Sequence, residues 1–296
     1  MKTSFYILFC VLCSINIAFA IPSEEKKALV DLYHATEGHN WTTPWNLKKS
    51  PSKWEGVQIE DNHVVSIVLF NNNLKGVLPN SIASLTHLKV LNLAFNSLSG
   101  FIPDTLCDLS ELEVLRLGKN NVEGTIPEHI GSLKKLIVLD LFHNRISGVL
   151  PQSLGQLKEL KVISLSDNKL TGTLPVVIGN LINLERFEVA NNNMIGELPH
   201  VISNMVKLKT LVISENNFTG AFPNDILSLQ SISVIQMKEN NFDNMYLNVK
   251  DITKSKLALF DFDEELILHK KEELDNFSKR GNSKIVDTKL EDYDGN

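Results

Sequence analysis

Between residues 64 and 244 the apolar positions return on a step of 24 residues. One column reads Ile67, Leu91, Leu115, Leu139, Ile163, Phe187, Leu211 and Ile235. A second, two residues on, reads Leu69, Leu93, Leu117, Leu141, Leu165, Val189, Ile213 and Met237. Two apolar residues separated by one outward residue predict a short strand whose inner face joins the core. A third column runs from Leu74 and Leu98 to Phe218 and Phe242. On the return arm Ile82, Leu85 and Leu88 begin columns at three-residue spacing, which predicts a short 3₁₀ or helical turn in every unit. Self-similarity at such a period marks a stacked repeat, so the region reads as one solenoid and not as two globular domains.

The polar positions keep the same step. An asparagine recurs as Asn72, Asn96, Asn120, Asn144, Asn168, Asn192, Asn216 and Asn240, followed by a glycine from Gly76 to Gly220 and a proline from Pro79 to Pro223. Asparagine carries an acceptor and two donors on a short side chain. Stacked at each bend, it can satisfy backbone groups of its own loop and of its neighbour, which would otherwise be orphaned. Glycine suits a turn with unusual angles, and proline ends the segment at a fixed φ. All three columns are read as structural.

Residues 21–63 precede the frame as an N-terminal cap. Ser23 is expected to cap an amphipathic helix carrying Ala28, Leu29, Leu32 and Tyr33, with Glu24 and Glu25 in its first turn and Gly38 as its stop. Trp41, Trp45 and Trp54 follow. They are read as covering the open apolar end of the first repeat, with Trp54-Glu55-Gly56-Val57 leading into a first strand over 64–69. After 244 the Gly and Pro signals are lost. Residues 245–278 are expected to form a C-terminal cap, with Leu257 to Phe260 as a ninth strand, Phe262 closing the end and a helix over 264–278; 279–296 reads as a disordered acidic tail.

The unit Leu91-Asn92-Leu93-Ala94-Phe95-Asn96-Ser97-Leu98-Ser99-Gly100-Phe101-Ile102-Pro103 carries the leucine-rich repeat pattern L-x-x-L-x-L-x-x-N-x-L with an added Gly-x-Ile-Pro. The chain therefore resembles extracellular leucine-rich repeat proteins of the plant type, such as the ectodomains of receptor-like proteins and the polygalacturonase inhibitors. The resemblance implies an α/β solenoid: a right-handed superhelix with a parallel concave sheet, 3₁₀ or helical turns on the convex side and a helical N-terminal cap. It also implies a non-enzymatic binding role. The cap departs from those relatives in lacking their paired cysteines.

Targeting and composition narrow the class. Residues 1–20 read as a signal peptide, with Lys2, an apolar run and the small-x-small site Ala18-Phe19-Ala20. Cys10 and Cys13 leave with it, so Cys107 is the one cysteine of the mature chain, in the column of Gly131, Gly155 and Gly179, where it reads as a small turn residue. A net charge of −6 excludes a nucleic-acid footprint, and no later stretch is long enough to span a membrane. Secretion as a monomer or weak dimer is expected, without cofactor or metal. Sequons at Asn40, Asn217 and Asn276 are candidate glycosylation sites. The run Asp261-Asp263-Glu264-Glu265 is read as a solvated cap in preference to a calcium site.

Function should lie in the irregular residues beside the ladder. Three columns are expected to point out of the concave face, beginning at Val68, Phe70 and Asn71, with a fourth just past the asparagine. They supply Phe70, Phe95 and Phe142 as aromatic anchors, Arg116, Lys119 and Arg145 as a basic centre, and Asp140, His143, Asp167 and Glu188 beside them. Arg116–Asp140 and His143–Asp167 are neighbours able to pair at the surface. Ser166, His143 and Asp167 are hydrolase residue types, but adjacent columns on a sheet offer no oxyanion hole and no water-excluding pocket. The leading reading is a secreted recognition protein that binds a protein or glycoprotein on its concave face. Inhibition of a secreted hydrolase and a structural or adhesion role stand as alternatives. Ice binding is disfavoured by the irregular outward columns.

Overall fold

The computed structural model describes residues 21–243 and 257–261. The signal peptide, the helix over 264–278, Phe262, Asn276, the acidic positions 263–265 and the tail lie outside the described residues. The described residues form a solenoid with two sheets in which the repeat strands pair in parallel. Each full repeat contributes one short strand to a ten-stranded sheet that runs in chain order from the cap to Leu259–Asp261. Leu91 pairs across to Ile67 on one side and Leu115 on the other, so the 24-residue step becomes the strand register. Leu259–Asp261 pairs with Val234–Gln236, which is the expected ninth repeat strand.

A second, eight-stranded sheet was not anticipated. It is built from Lys75–Val77, Ser97–Phe101 and the equivalent segments up to Asn241–Phe242. Its signal was present as the alternation Ser97-Leu98-Ser99 around the third apolar column, where Leu98 is buried and both serines are exposed. Seven 3₁₀ turns, from Asn80–Ser84 to Asn224–Ser228, complete the repeats, and each follows its proline. Leucines such as Leu85, Leu88, Leu91 and Leu93 are wholly buried between these layers, so one core runs the length of the array.

The asparagines do what their chemistry demands. The Asn96 Nδ2 donates to the carbonyls of Leu69 (2.8 Å), Leu93 (2.9 Å) and Ala94 (3.1 Å), while its Oδ1 accepts from the amides of Asn72 and Leu74 (both 2.9 Å). The Nδ2 contacts recur to Asn240, while from Asn120 onward the Oδ1 accepts from one amide, as from Leu98 at Asn120 and from Phe218 at Asn240. At the start, Asn72 Oδ1 accepts from the Thr43 amide at 2.8 Å, so the ladder is anchored in the cap.

The cap differs from expectation in three ways. Its helix, α1, spans Ser23–Ala35 with Pro22 at the N-cap and no side-chain cap bond from Ser23. It ends at Thr36, and the left-handed residue is Glu37 (φ 55°), so Gly38 opens the following 3₁₀ turn and does not stop the helix. A strand at Val57–Glu60, β1, intervenes before the first repeat strand, β2 (His63–Val68), and pairs with it antiparallel. β1 covers the first edge of the ten-stranded sheet with a short piece whose outward residues are polar. The three tryptophans are at most 4 % exposed, and their indole N–H groups donate to the carbonyls of Thr36, Asn46 and Glu55. Trp45 stacks on Trp54 at 4.9 Å. They are the cap's core.

Candidate functional site

The outward columns of the ten-stranded sheet divide into an aromatic half and a polar half. At the aromatic end Phe70 is 51 % exposed and its ring centroid lies 4.9 Å from that of Phe95, which in turn lies 5.8 Å from Phe142. Lys119 Nζ sits 5.2 Å from the Phe95 centroid, in cation–π range. Phe70 and Phe142 stand three repeats apart in one column, with buried Ala94 and Gly118 between them. Gly118 is required by this packing: a Cβ there would meet Phe142 Cδ1 at 2.3 Å. Its absence lets the Phe142 ring lean across the third repeat toward Phe95. The sequence-predicted phenylalanines are thus brought together into one continuous apolar strip.

Phe95 reaches that strip by an unusual backbone. In every repeat the residue before the ladder asparagine is left-handed, including Phe95 (φ 59°), Lys119 (53°), His143 (49°) and Asp167 (58°). Non-glycine residues adopt this region at a cost of roughly 1–2 kcal/mol. The asparagine side chain holds the turn that imposes it, so the site column is rotated outward by the ladder.

The polar half departs from expectation. Asp140 and Glu188 are 2 % and 7 % exposed and do not project into solvent. Both sit on strands flanked by neighbouring repeats, and Glu188 lies in a depression of about 290 Å³ lined also by Phe142, Ser164, Ser166, Arg186 and Ser214. Ser166, Ala190 and Ser214 continue the column of Phe70 and Phe142 with small side chains, which leaves the depression open beside Phe142. Glu188 Oε2 accepts from Ser164 Oγ at 3.0 Å; Oε1 has no hydrogen bond and only Arg186 Nη1 at 3.5 Å. Burial pushes the Glu188 carboxyl up, against the opposing influence of Arg186 and Ser164. Burial likewise pushes Asp140 to about 6, opposed by the Phe142 amide and by Arg116 and reinforced by Glu188.

Arg116 and Asp140 occupy facing register positions without closing to an ion pair among the described residues, and Arg116 Nε is buried with no hydrogen-bond partner. His143 and Asp167 do approach, at 3.9 Å, in an exposed pair of small energetic weight. Arg145 heads a strand of the second sheet and donates to Asn121 Oδ1 (3.1 Å). Of the three expected cations, Lys119 is engaged by the Phe95 ring and Arg145 by Asn121. Ser166 Oγ accepts from the Ala190 amide at 3.0 Å, which assigns that hydroxyl to inter-repeat bonding. Burial and the nearby Asp104 and Asp108 push the Cys107 thiol up to about 11, so it is an inert packing residue. Asn40 and Asn217 are both exposed, Asn217 at the start of a second-sheet strand.

One cluster was missed. Glu25 of α1 is 2 % exposed, and its carboxylate meets His63 and His87, residues exactly one repeat period apart whose rings stack at 3.6 Å. The expectation of no metal-ligand grouping overlooked the 24-residue spacing of the histidines, and the fold adds the glutamate from 38 positions away.

A family of leucine-rich repeat regions matches residues 63–191, and a leucine-rich repeat unit matches 207–229. No curated protein sequence matches the chain. Among solved structures, the leucine-rich repeat ectodomain of the Arabidopsis thaliana membrane receptor kinase GASSHO1/SCHENGEN3, in complex with CASPARIAN STRIP INTEGRITY FACTOR 2, is 25 % identical with a TM-score of 0.69, over 79 % of this chain and 32 % of that one. The ectodomain of the Arabidopsis receptor kinase HAESA, in complex with an IDA peptide hormone ligand, is 26 % identical with a TM-score of 0.65, over 81 % and 44 %. A plant ice-binding protein shares the fold at 24 % identity and a TM-score of 0.67, over 82 % and 86 %. The chain thus spans less than half of the length of either receptor ectodomain. No helix of the described residues is long and apolar enough to cross a membrane.

Proposed function

The chain belongs to the leucine-rich repeat family, and from that premise we propose that it is an extracellular, non-enzymatic recognition protein that binds an extended segment of a protein or glycoprotein along the ten-stranded face. The observation that carries this reading is the strip Phe70–Phe95–Phe142, three aromatic rings in tilted contact, at 50° and 60° between planes, on a face that would otherwise be wet. Aromatic anchors of this kind dominate binding energy at interfaces. Receptor ectodomains of similar fold were solved in complex with CASPARIAN STRIP INTEGRITY FACTOR 2 and with a peptide hormone, which supports ligand recognition by this fold.

The two halves of the face specify the ligand's chemistry. An apolar side chain completes the aromatic strip. A basic side chain suits the depression beyond it, where Glu188 Oε1 lacks a hydrogen bond and Asp167 and Glu215 contribute further acid to the lining. A ligand with an apolar residue followed at a few residues' distance by arginine or lysine satisfies both. A glycan on Asn217 would leave the strip open, since that residue lies in the second sheet of a later repeat.

Selection of a displayed random-peptide library on the purified mature chain tests this. The expected outcome is enrichment of peptides pairing an aromatic or aliphatic residue with a basic one. Their affinity should fall at least tenfold with Phe95→Ala and with Glu188→Gln, at unchanged fold by circular dichroism. Peptides that bind equally well to wild type and to a Phe95→Ala, Phe142→Ala double variant would sink the assignment.

A further inference from the structure

We propose that Glu25, His63 and His87 form a binding site for a divalent transition-metal ion of the zinc class, and that the ion ties the N-terminal cap to the first two repeats. The three residues come from three elements. Glu25 lies in the first turn of α1, His63 opens β2, and His87 sits in the turn before Val90–Asn92, one repeat later. Their ligand atoms all lie within 4.8 Å of one another.

The cluster has a fixed end and an adjustable end. Glu25 Oε2 accepts from the Val64 amide at 2.7 Å, which orients the carboxylate and leaves Oε1 directed at the histidines. A hydrogen-bonded ligand carboxylate of this sort is the usual supporting arrangement at metal sites. Oε1 contacts His63 Nδ1 at 2.6 Å, while His87 Nδ1 is held 4.0 Å away. One carboxylate oxygen therefore serves one imidazole closely and the other poorly. The His87 ring is half-exposed, stacks on His63 at 22° between planes and has Thr86 Oγ1 at 3.2 Å as its close polar neighbour.

A tetrahedral zinc ion takes nitrogen and oxygen ligands at about 2.0–2.2 Å, which places ligand atoms about 3.3–3.5 Å apart. The Glu25–His63 contact must open by about 0.7 Å and the Glu25–His87 contact close by a similar amount to meet that spacing. The two histidine side chains are 32 % and 50 % exposed, and the adjustment required is a rotation about their side-chain torsions that unstacks the rings. Two imidazoles with one carboxylate favour zinc, copper or nickel over calcium or magnesium, which prefer all-oxygen cages. Glu111, the next residue in the 24-residue column, is outside the cluster, and an ion pair with Lys135 (2.6 Å) holds its carboxylate.

Such an ion would act as a cross-link. Among the described residues the only cysteine is the free, buried Cys107, so no disulfide clips the cap to the array there. The metal would join α1, β2 and the second repeat at the point where the solenoid begins.

The test uses the untagged mature chain and zinc ion alone. Equilibrium dialysis with elemental analysis should find one zinc per chain, and saturating zinc should raise the thermal midpoint by about 5 °C, reversibly on adding a chelator. His87→Phe keeps a ring on His63 and removes the donor nitrogen. It should lose both the bound zinc and the shift while its zinc-free midpoint stays within about 2 °C of wild type. Because Glu25→Gln can disturb the cap itself, cobalt(II) provides the second readout: its visible spectrum on wild type should show tetrahedral nitrogen–oxygen coordination, absent in His87→Phe. No zinc uptake by wild type, or uptake and stabilisation unchanged in His87→Phe, overturns the proposal.

Discussion

At the scale of the residue, the ladder asparagine accounts for both order and strain. Asn168 is 9 % exposed, and its Nδ2 donates to the carbonyls of Leu141, Leu165 and Ser166 while its Oδ1 accepts from the Ile146 amide at 3.0 Å. Aspartate has the same shape but no donors, and it would bring an ionised group among carbonyl oxygens. Asn168→Asp should therefore destabilise the chain by about 3 kcal/mol, because buried acceptors lose their donors and a charge is left unpaired. Denaturant titration checks the value, and a loss below about 1 kcal/mol would show that water substitutes for the side chain. The residue before each asparagine carries the backbone strain, and those are the positions at which Phe95, Lys119, His143 and Asp167 reach the surface. Their role as site candidates was legible from the column alone. Their left-handed backbone was not, because phenylalanine and lysine carry no local preference for it.

At the scale of the element, the cap and the first repeat share one continuous core. Tyr33, Trp41, Trp45 and Trp54 form one aromatic stack, and the Thr43 amide extends the asparagine ladder into it. Gly76 records how tight that junction is: a Cβ there would meet the Ala35 carbonyl oxygen at 2.1 Å, at φ 126°. Trp45→Ala removes the central ring of the stack and should cost about 3–5 kcal/mol. Hydrogen exchange should show the loss concentrated in residues 23–92, since in a solenoid each unit touches only its neighbours. Uniform loss of protection through the eighth repeat would contradict that one-dimensional picture.

At the scale of the whole molecule, the buried carboxylates set the response to pH. The Asp140 pKa in the folded chain, about 6, lies above its ordinary value near 3.9. The folded state therefore binds the proton first, and ionisation of Asp140 costs stability. That cost is fully present above about pH 6 and disappears as pH falls toward about 4. Glu188, also raised by burial, acts in the same direction. The thermal midpoint should accordingly be higher at pH 5 than at pH 7.5. Asp140→Asn should raise it at pH 7.5 by about 5 °C and flatten the profile. The difference between the two proteins separates this effect from the general relief of the −6 net charge on acidification. A basic ligand favours the ionised carboxylates, so its affinity should weaken over the same interval in which the free chain gains stability.

The sequence by itself determined the solenoid, its period, the inward columns and the ladder, because each repeats at fixed spacing and its chemistry is local to a turn. It also located the three phenylalanines of the aromatic strip. What only the tertiary structure decided depends on how neighbouring repeats lean on one another. Asp140 and Glu188 read as exposed from their column and are buried by the strands and side chains beside them. Phe142 reaches Phe95 only across the bare backbone of Gly118. The second sheet's short strands pair only where a neighbouring repeat stands beside them. Glu25 meets His63 and His87 because the cap helix is laid against the first two repeats, a contact between segments 38 and 62 residues apart in the chain that no periodicity encodes.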